Sequence, residues 1–329
     1  FFGAPAFGSI SGQLLYANIT QTPMANSTVG IYEATSGNLV RVESTNAAGE
    51  FSSTQLAPGN YVIRASTNRQ PGGVNATDAL RTARHFTSLA PLQGIWLEAA
   101  DVNGNGTVNS TDALQIAQRF AGLLNNPMGL RIYFDALFGG NLATAASVHM
   151  HSGASTDPNQ VWQNVVGNWG DPNSPGGMTA QGNGRWMIGM NPVTYYNQAP
   201  NGPLPSGSTL HNIGMVFRES GPCTNCLEQK DGNGQDIFLY PTMNPPLSTY
   251  LGVKATQSGA NGFAAGNWMF TTAQVQVQEN TNHSITLRGI VMGDVDGSFN
   301  PALARIPASV SLVDEGEVQW VGGDQLRVP

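Results

Sequence analysis

The 329 residues carry a formal charge of −7, Lys+Arg 14 against Asp+Glu 21, and only 11% of positions are charged. That balance excludes a nucleic-acid binder, which needs a basic face, and no run reaches the about 18 apolar residues of a membrane span. Hydrophobic residues at 40% are too many for a disordered chain, while 40 Gly and 20 Pro point to a turn-rich, mainly β protein of the extracellular space or cell surface.

The length exceeds one ordinary core, so several domains are expected. Residues 1–66 form the first. Apolar positions alternate in ISGQLLY, STVGIYEA, LVRVEST and YVIRAS, with turns at Thr35-Ser36-Gly37 and Ala57-Pro58-Gly59-Asn60. The stretch GEFSSTQLAPGNYVIRA (Gly49–Ala65) resembles prealbumin-like domains of bacterial surface proteins and carboxypeptidase regulatory domains. The resemblance implies a β-sandwich spacer. Some related surface domains carry a Lys–Asn crosslink; this segment has no lysine, so none is expected.

In residues 67–128 the period changes to helical. GGVNATDALRTARHFTSL (Gly72–Leu89) and GNGTVNSTDALQIAQRFAGL (Gly104–Leu123) repeat one another, with Ala, Leu and Phe on one helical face. Ahead of the second helix stands DVNGNGTVNSTD. Oxygen-bearing side chains fall at Asp101, Asn103, Asn105, Asn109 and Asp112, with Gly106 at the sharp turn and Thr107 offering its carbonyl. This is the ligand order of an EF-hand-type loop, which gives a hard cation its oxygens at about 2.4 Å. The expected cofactor is Ca2+. Two such loop-helix units resemble a dockerin. The first copy lacks its acidic half, since Thr67, Arg69 and Pro71 precede Val74, and only Asn75 and Asp78 survive as candidate ligands.

The missing half is expected far downstream, where Asp294, Asp296 and Ser298 in GDVDGS have the spacing of a loop's opening. The competing reading is a hydrated Asp-Gly turn. Dockerin-like modules of large surface proteins exported by the type IX pathway run from the second helix into a GDWVFE-like strand, further strands and GDVNGS. Here Gly266-Asn267-Trp268-Met269-Phe270, TAQVQVQ, SITLRGIV and GDVDGS are similar. Residues 256–306 are therefore expected to complete the dockerin-like unit, with 129–255 inserted into it.

The insert reads as short strands between Gly/Pro/Asn turns, a β-sandwich, and resembles accessory modules of starch-active secreted proteins. Trp162, Trp169, Trp186, Tyr195 and Tyr196 fit either a sugar-stacking platform or a sandwich core. His149 and His151 share a strand face without a completed ligand pattern. Asp231, Asn233 and Asp236 in DGNGQD fit a further calcium site or a hairpin turn equally. Cys223 and Cys226 fit a local disulfide better than a redox or zinc motif, because no second C-x-x-C or βαβ context accompanies them. Residues 307–329 read as the start of a following domain or an exchanged strand. Phe1 and the ending LRVP suggest a piece of a longer protein.

No Gly-x-Ser-x-Gly, His-Glu-x-x-His or phosphate-binding glycine loop is present, so no enzyme is expected. The expected class is mainly β and multidomain, β-sandwich domains plus a small α-helical dockerin-like unit. The expected role is a non-catalytic, calcium-stabilised structural or adhesive module, self-assembling into fibres. A carbohydrate-binding accessory module is the alternative. Expected partners are calcium, neighbouring domains or copies of the chain, a cohesin-like domain or a polysaccharide, with no nucleic acid and no membrane span.

Overall fold

The computed structural model describes residues 6–123, 129–167, 175–197, 204–205, 208–220, 226–258, 267–303, 309–312 and 318–321. The protein is mainly β with few helices. Contacts divide it into two compact units. One joins Phe1–Thr35, Leu39–Asn125 and Gly262–Arg305; the other joins Ser36–Asn38, Asn126–Asn261 and Ile306–Pro329.

The first unit opens with β1 (Gly8–Tyr16), β2 (Thr28–Glu33), β3 (Leu39–Ser44), β4 (Glu50–Leu56) and β5 (Gly59–Ser66). Helices α1 (Ala76–Phe86), α2 (Ile95–Ala100) and α3 (Ser110–Phe120) follow. The chain then builds the second unit from β6 (Gly129–Asp135), β7 (Val148–Ser155), β8 (Asn164–Val166), β9 (Thr179–Gly182), β10 (Arg185–Met190), α4 (Pro192–Tyr196) and β11 (Asn212–Glu219). It continues with β12 (Glu228–Gln229), β13 (Ile237–Tyr240), β14 (Leu247–Ser248) and β15 (Val253–Ser258). Strands β16 (Trp268–Phe270), β17 (Ala273–Val277) and β18 (Asn282–Val291) belong again to the first unit. Last come β19 (Ser309–Leu312) and β20 (Val318–Val321), paired with each other antiparallel.

In the first unit the sheets run β16-β18-β1-β4 and β17-β5-β2-β3. Alternating Ile10, Leu14, Val29, Ile31 and Ile63 meet Trp268, Leu287 and Ile290 in one core. Residues 1–66 therefore do not close a sandwich alone, and 256–306 do more than complete the helical unit. Strand β18 lies parallel to β1, Gly12 opposite Ile285, and β17 pairs antiparallel with β5. The physical reason is that β1 and β5 each have a free edge, whose backbone groups the returning strands satisfy. Helices α1 and α3 pack through a small core of Ala100, Val102, Ile116 and Val295.

Helix α2 has no counterpart in the sequence reading. Its signal was the buried pair Ile95 and Ala99, one helical turn apart.

The second unit has sheets β15-β6-β10-β9 and β14-β13-β11-β7-β8, with β12 on β11. Phe134 of β6 stacks on Phe217 of β11 with centroids 4.1 Å apart. Strand β10 stops at Met190, where Asn191 caps α4 through the Val193 N–H and Pro192 takes a first-turn position. Asn-Pro is a helix-start signal in its own right. The Tyr196 hydroxyl, fully buried, donates to Ser152 Oγ at 3.1 Å. Tyr196→Phe is expected to cost about 1 kcal/mol of second-unit stability, read as a lower urea midpoint with calcium content unchanged. An unmoved midpoint would show that the bond contributes nothing.

Candidate metal centre

Two stretches of the first unit have the same hydrogen-bond pattern, one continuous in sequence and one not. In the continuous loop, Asp101 Oδ1 accepts from Asn105 N at 3.1 Å and Oδ2 from Gly106 N at 2.7 Å. Asn103 Oδ1 accepts from Asn105 N at 3.0 Å. Asp112 accepts from Asn103 N and Asn109 N, at 3.3 and 2.9 Å. Asn109 caps α3 by accepting from Thr111 N at 2.8 Å, and its amide donates to the Thr107 carbonyl.

Each bond has a partner in the second stretch. Asp294 Oδ1 accepts from Ser298 N at 3.1 Å and Oδ2 from Phe299 N at 3.2 Å. Asp296 Oδ1 accepts from Ser298 N at 2.9 Å. Asp78 accepts from Asp296 N and Asn75 N, at 2.8 and 2.7 Å. Asn75 caps α1 by accepting from Thr77 N at 2.7 Å, and its amide donates to the Gly73 carbonyl. Val295 and Val102 are both fully buried, and Gly297 and Gly104 share a positive φ. The structure thus brings Asn75, Asp78, Asp294, Asp296 and Ser298 together as one loop cut between Phe299 and Gly73. Sequence reasoning missed Gly73, which takes the place of Thr107; aligning GGVNATDAL with GTVNSTDAL was enough to find it.

The groups converging here are oxygens of Asp, Ser and backbone, joined by the Asn75 amide nitrogen, which donates to Ser298 Oγ at 3.0 Å; the oxygens are the chemistry calcium prefers over softer metals. Carboxylate oxygens of Asp78, Asp294 and Asp296 lie within 4.8 Å of one another. Gly73 keeps the space open, since a Cβ there would stand 2.7 Å from Asp294 Cγ. The residues fit the ion.

Asp78, Asp294 and Asp112 are each 0% exposed. Burial, and then the neighbouring carboxylates, push Asp78 up to about 7. Burial pushes Asp294 up to about 6, against the Tyr16 hydrogen bond that lowers it. Burial also raises Asp112. At Asp296 burial is outweighed by hydrogen bonds from Ser298, Asp294 and Asn75, and its carboxyl lies below the usual value.

The sign follows. Raised folded-state values favour the metal-free fold when these groups are protonated, and that contribution is lost as pH climbs from 3.8 toward about 7. Without calcium, the first unit is expected to melt higher at pH 5 than at pH 7. With calcium the slope reverses, because binding requires the carboxylates deprotonated. Parallel slopes in calcium and in chelator would contradict this.

The divided loop is fixed by residues outside it. The Tyr16 hydroxyl, at the end of β1, donates to Asp294 Oδ2 and accepts from Val291 N at 3.2 Å. Burial and the Asp294 charge push the Tyr16 pKa well up, so the proton stays on the phenol. Tyr16, Trp268 and Phe299 meet edge to face at 5.6–5.7 Å. The Arg69 guanidinium donates to Pro301 O at 2.7 Å and twice to Ala25 O, at 2.7 and 3.1 Å. Arg69 looked like damage to a ligand loop; it is a brace for the segment that replaces the lost half.

The other candidates behave differently. Asp231 closes its own turn, accepting from Asn233 N and Gln235 N at 2.9 and 2.7 Å. Asp236 pairs with Lys230 at 3.1 Å, so an ammonium already faces that carboxylate. Trp186, Tyr195 and Tyr196 are buried in the second-unit core, so they supply no sugar platform. Large rings at strand spacing bury more apolar area inside than any exposed use offers. Trp162 is half-buried and stacks on His151 at 5.4 Å. His149 meets Ser220, and His151 Nδ1 lies 2.7 Å from Gly167 O. Trp169 and Cys223 lie outside the described residues; Cys226 Sγ accepts from Arg218 Nη2 at 2.7 Å, and no free cysteine occurs among the described residues.

Residues 70–121 match the family described as Dockerin type I domain. No curated protein matches the chain. Among solved structures, the T6 backbone pilin of serotype M6 Streptococcus pyogenes is 28% identical over 20% of this chain and 13% of that one, with a TM-score of 0.18. The full-length major pilin SpaD from Corynebacterium diphtheriae is 9% identical over 83% and 81%, TM-score 0.18. BcpA, the major pilin subunit of Bacillus cereus, is 10% identical over 87% and 99%, TM-score 0.17. Superpositions this loose carry no argument about fold or function. The chain spans 13% of the first of these structures and 58% of a streptococcal ancillary pilin.

Proposed function

We propose that the chain is a non-catalytic, calcium-stabilised structural and adhesive module of a secreted or surface-displayed bacterial protein. The observation that supports it best is the bond-for-bond equivalence of the two loops, one inside the dockerin-matching residues and one shared with 294–299. In this reading Asp101, Asn103, Asn105, Thr107 O, Asn109 and Asp112 hold one calcium. Asp294, Asp296, Ser298, Gly73 O, Asn75 and Asp78 hold a second. Each ion links segments, the second joining chain on either side of the second unit. We assign 129–255 as the inserted domain, 67–128 with 256–306 as the calcium frame, 1–66 as the spacer whose sheets that frame completes, and 307–329 as the lead into a neighbour. Cys223 and Cys226 act as a local staple.

Leu80, Phe86, Leu114 and Phe120 are exposed on α1 and α3, an apolar face for a protein partner: a neighbouring domain, another copy or a cohesin-like domain. No described helix is long and apolar enough to cross a membrane. The test is electron microscopy and sedimentation of the native material. Assemblies that persist in calcium and disperse in EDTA support the module. Single chains in both conditions, retained on a polysaccharide column, would transfer the role to the carbohydrate-binding alternative.

A further inference from the structure

We infer that the two loops fill unequally: the divided loop is the tight, retained calcium site, and the continuous loop is the weak, exchanging one. This rests on the calcium reading above and adds an order to it. Calcium affinity rises with the number of charged ligands and the rigidity of the site. The divided loop presents three carboxylates, Asp78, Asp294 and Asp296, where the continuous loop presents two, Asp101 and Asp112, because Asn103 stands in the place of Asp296; Ser298 and Asn105 are both neutral. Their depths differ too. Asp78 and its counterpart Asp112 are both fully buried and Ser298 and Asn105 both exposed, so the difference falls at the first acid, where Asp294 is fully buried and Asp101 half-buried.

A cut loop is ordinarily the looser one, because closing it orders more chain. Here the closure is already made by other contacts. Strand β18 runs into Asp294 in register with β1, Tyr16 at the end of β1 holds the Asp294 carboxylate, and Arg69 fixes Pro301. Among the described residues, the recorded hydrogen bonds to Asp101 Oδ1 and Oδ2 come from amides within its own loop. Tyr16 is thus a positioning residue for the tight site. As calcium falls, the Asp101–Asp112 loop and the start of α3 loosen first, while the clasp at Asp294 stays closed.

Calorimetric titration of the chelator-stripped full chain is expected to resolve two binding steps about tenfold or more apart. Asp294→Asn removes the tighter step and Asp101→Asn the weaker. Tyr16→Phe weakens the tighter step about tenfold and leaves the weaker unchanged. Because Asp294→Asn is able to unfold the unit, the wild-type chain supplies an independent reading. In hydrogen exchange at intermediate chelator, the amides of Asn105 and Gly106 lose protection before those of Ser298 and Phe299. Two steps of equal affinity, loss of the tighter step in Asp101→Asn, or earlier opening at Ser298 overturns the inference and leaves the calcium reading intact. No calcium uptake by the wild-type chain overturns both.

Discussion

Stripping calcium with EDTA is expected to lower the melting temperature of the first unit by on the order of 10 °C for each site emptied. A ligand held at about 1,000 times its dissociation constant contributes about 4 kcal/mol to the state that binds it. For a unit of this size each kcal/mol moves the midpoint by about 2–4 °C. The second unit is the internal control. Its DGNGQD turn already holds the Lys230 ammonium against Asp236, so its transition should stay where it is. Differential scanning calorimetry, with and without chelator, reads both. If both transitions fall together, or neither moves, calcium is not a structural element of the first unit.

Gly73→Ala is expected to have the next largest effect, although no side chain is removed. The residue sits at φ +88°, where an L side chain costs about 1–2 kcal/mol. A Cβ would also stand 2.6 Å from Phe299 Cβ and 2.7 Å from Asp294 Cγ, so the carboxylate must shift from its place in the divided loop. Together these should lower stability by about 2–4 kcal/mol and abolish one calcium site. Gly104→Ala is the matched control. It also has a positive φ, but nothing lies within 4 Å of its Cβ direction, so it should show the backbone cost alone and keep both ions. Equal effects of the two substitutions would mean that Gly73 is merely a strained turn.

What was legible in the sequence was local. Asn75 with Asp78 and Asn109 with Asp112 are capping boxes, and the repeat that contains them exposed both helix starts. The alternation in β1, β2 and β5 exposed the sandwich faces. The pairing of β1 with β18 was not legible, because parallel strands so far apart leave no turn signature between them. Tyr16 escaped notice, and Arg69 read only as a lost ligand, for a related reason. A tyrosine ending a strand and an arginine before a helix read as ordinary until the fold brings Asp294 and Pro301 to them. The aromatics of the second unit stayed between two readings: Trp186 and Tyr196 share a spacing with surface platforms, and packing assigns them to the core.

The most direct test is the calcium count of the intact chain by native mass spectrometry, compared with Asp294→Ala. The account predicts two ions on the wild-type chain and one on the variant, with the remaining ion lost when Asp101→Ala is added. A variant that still carries two ions, or a wild-type chain that carries none, would contradict it.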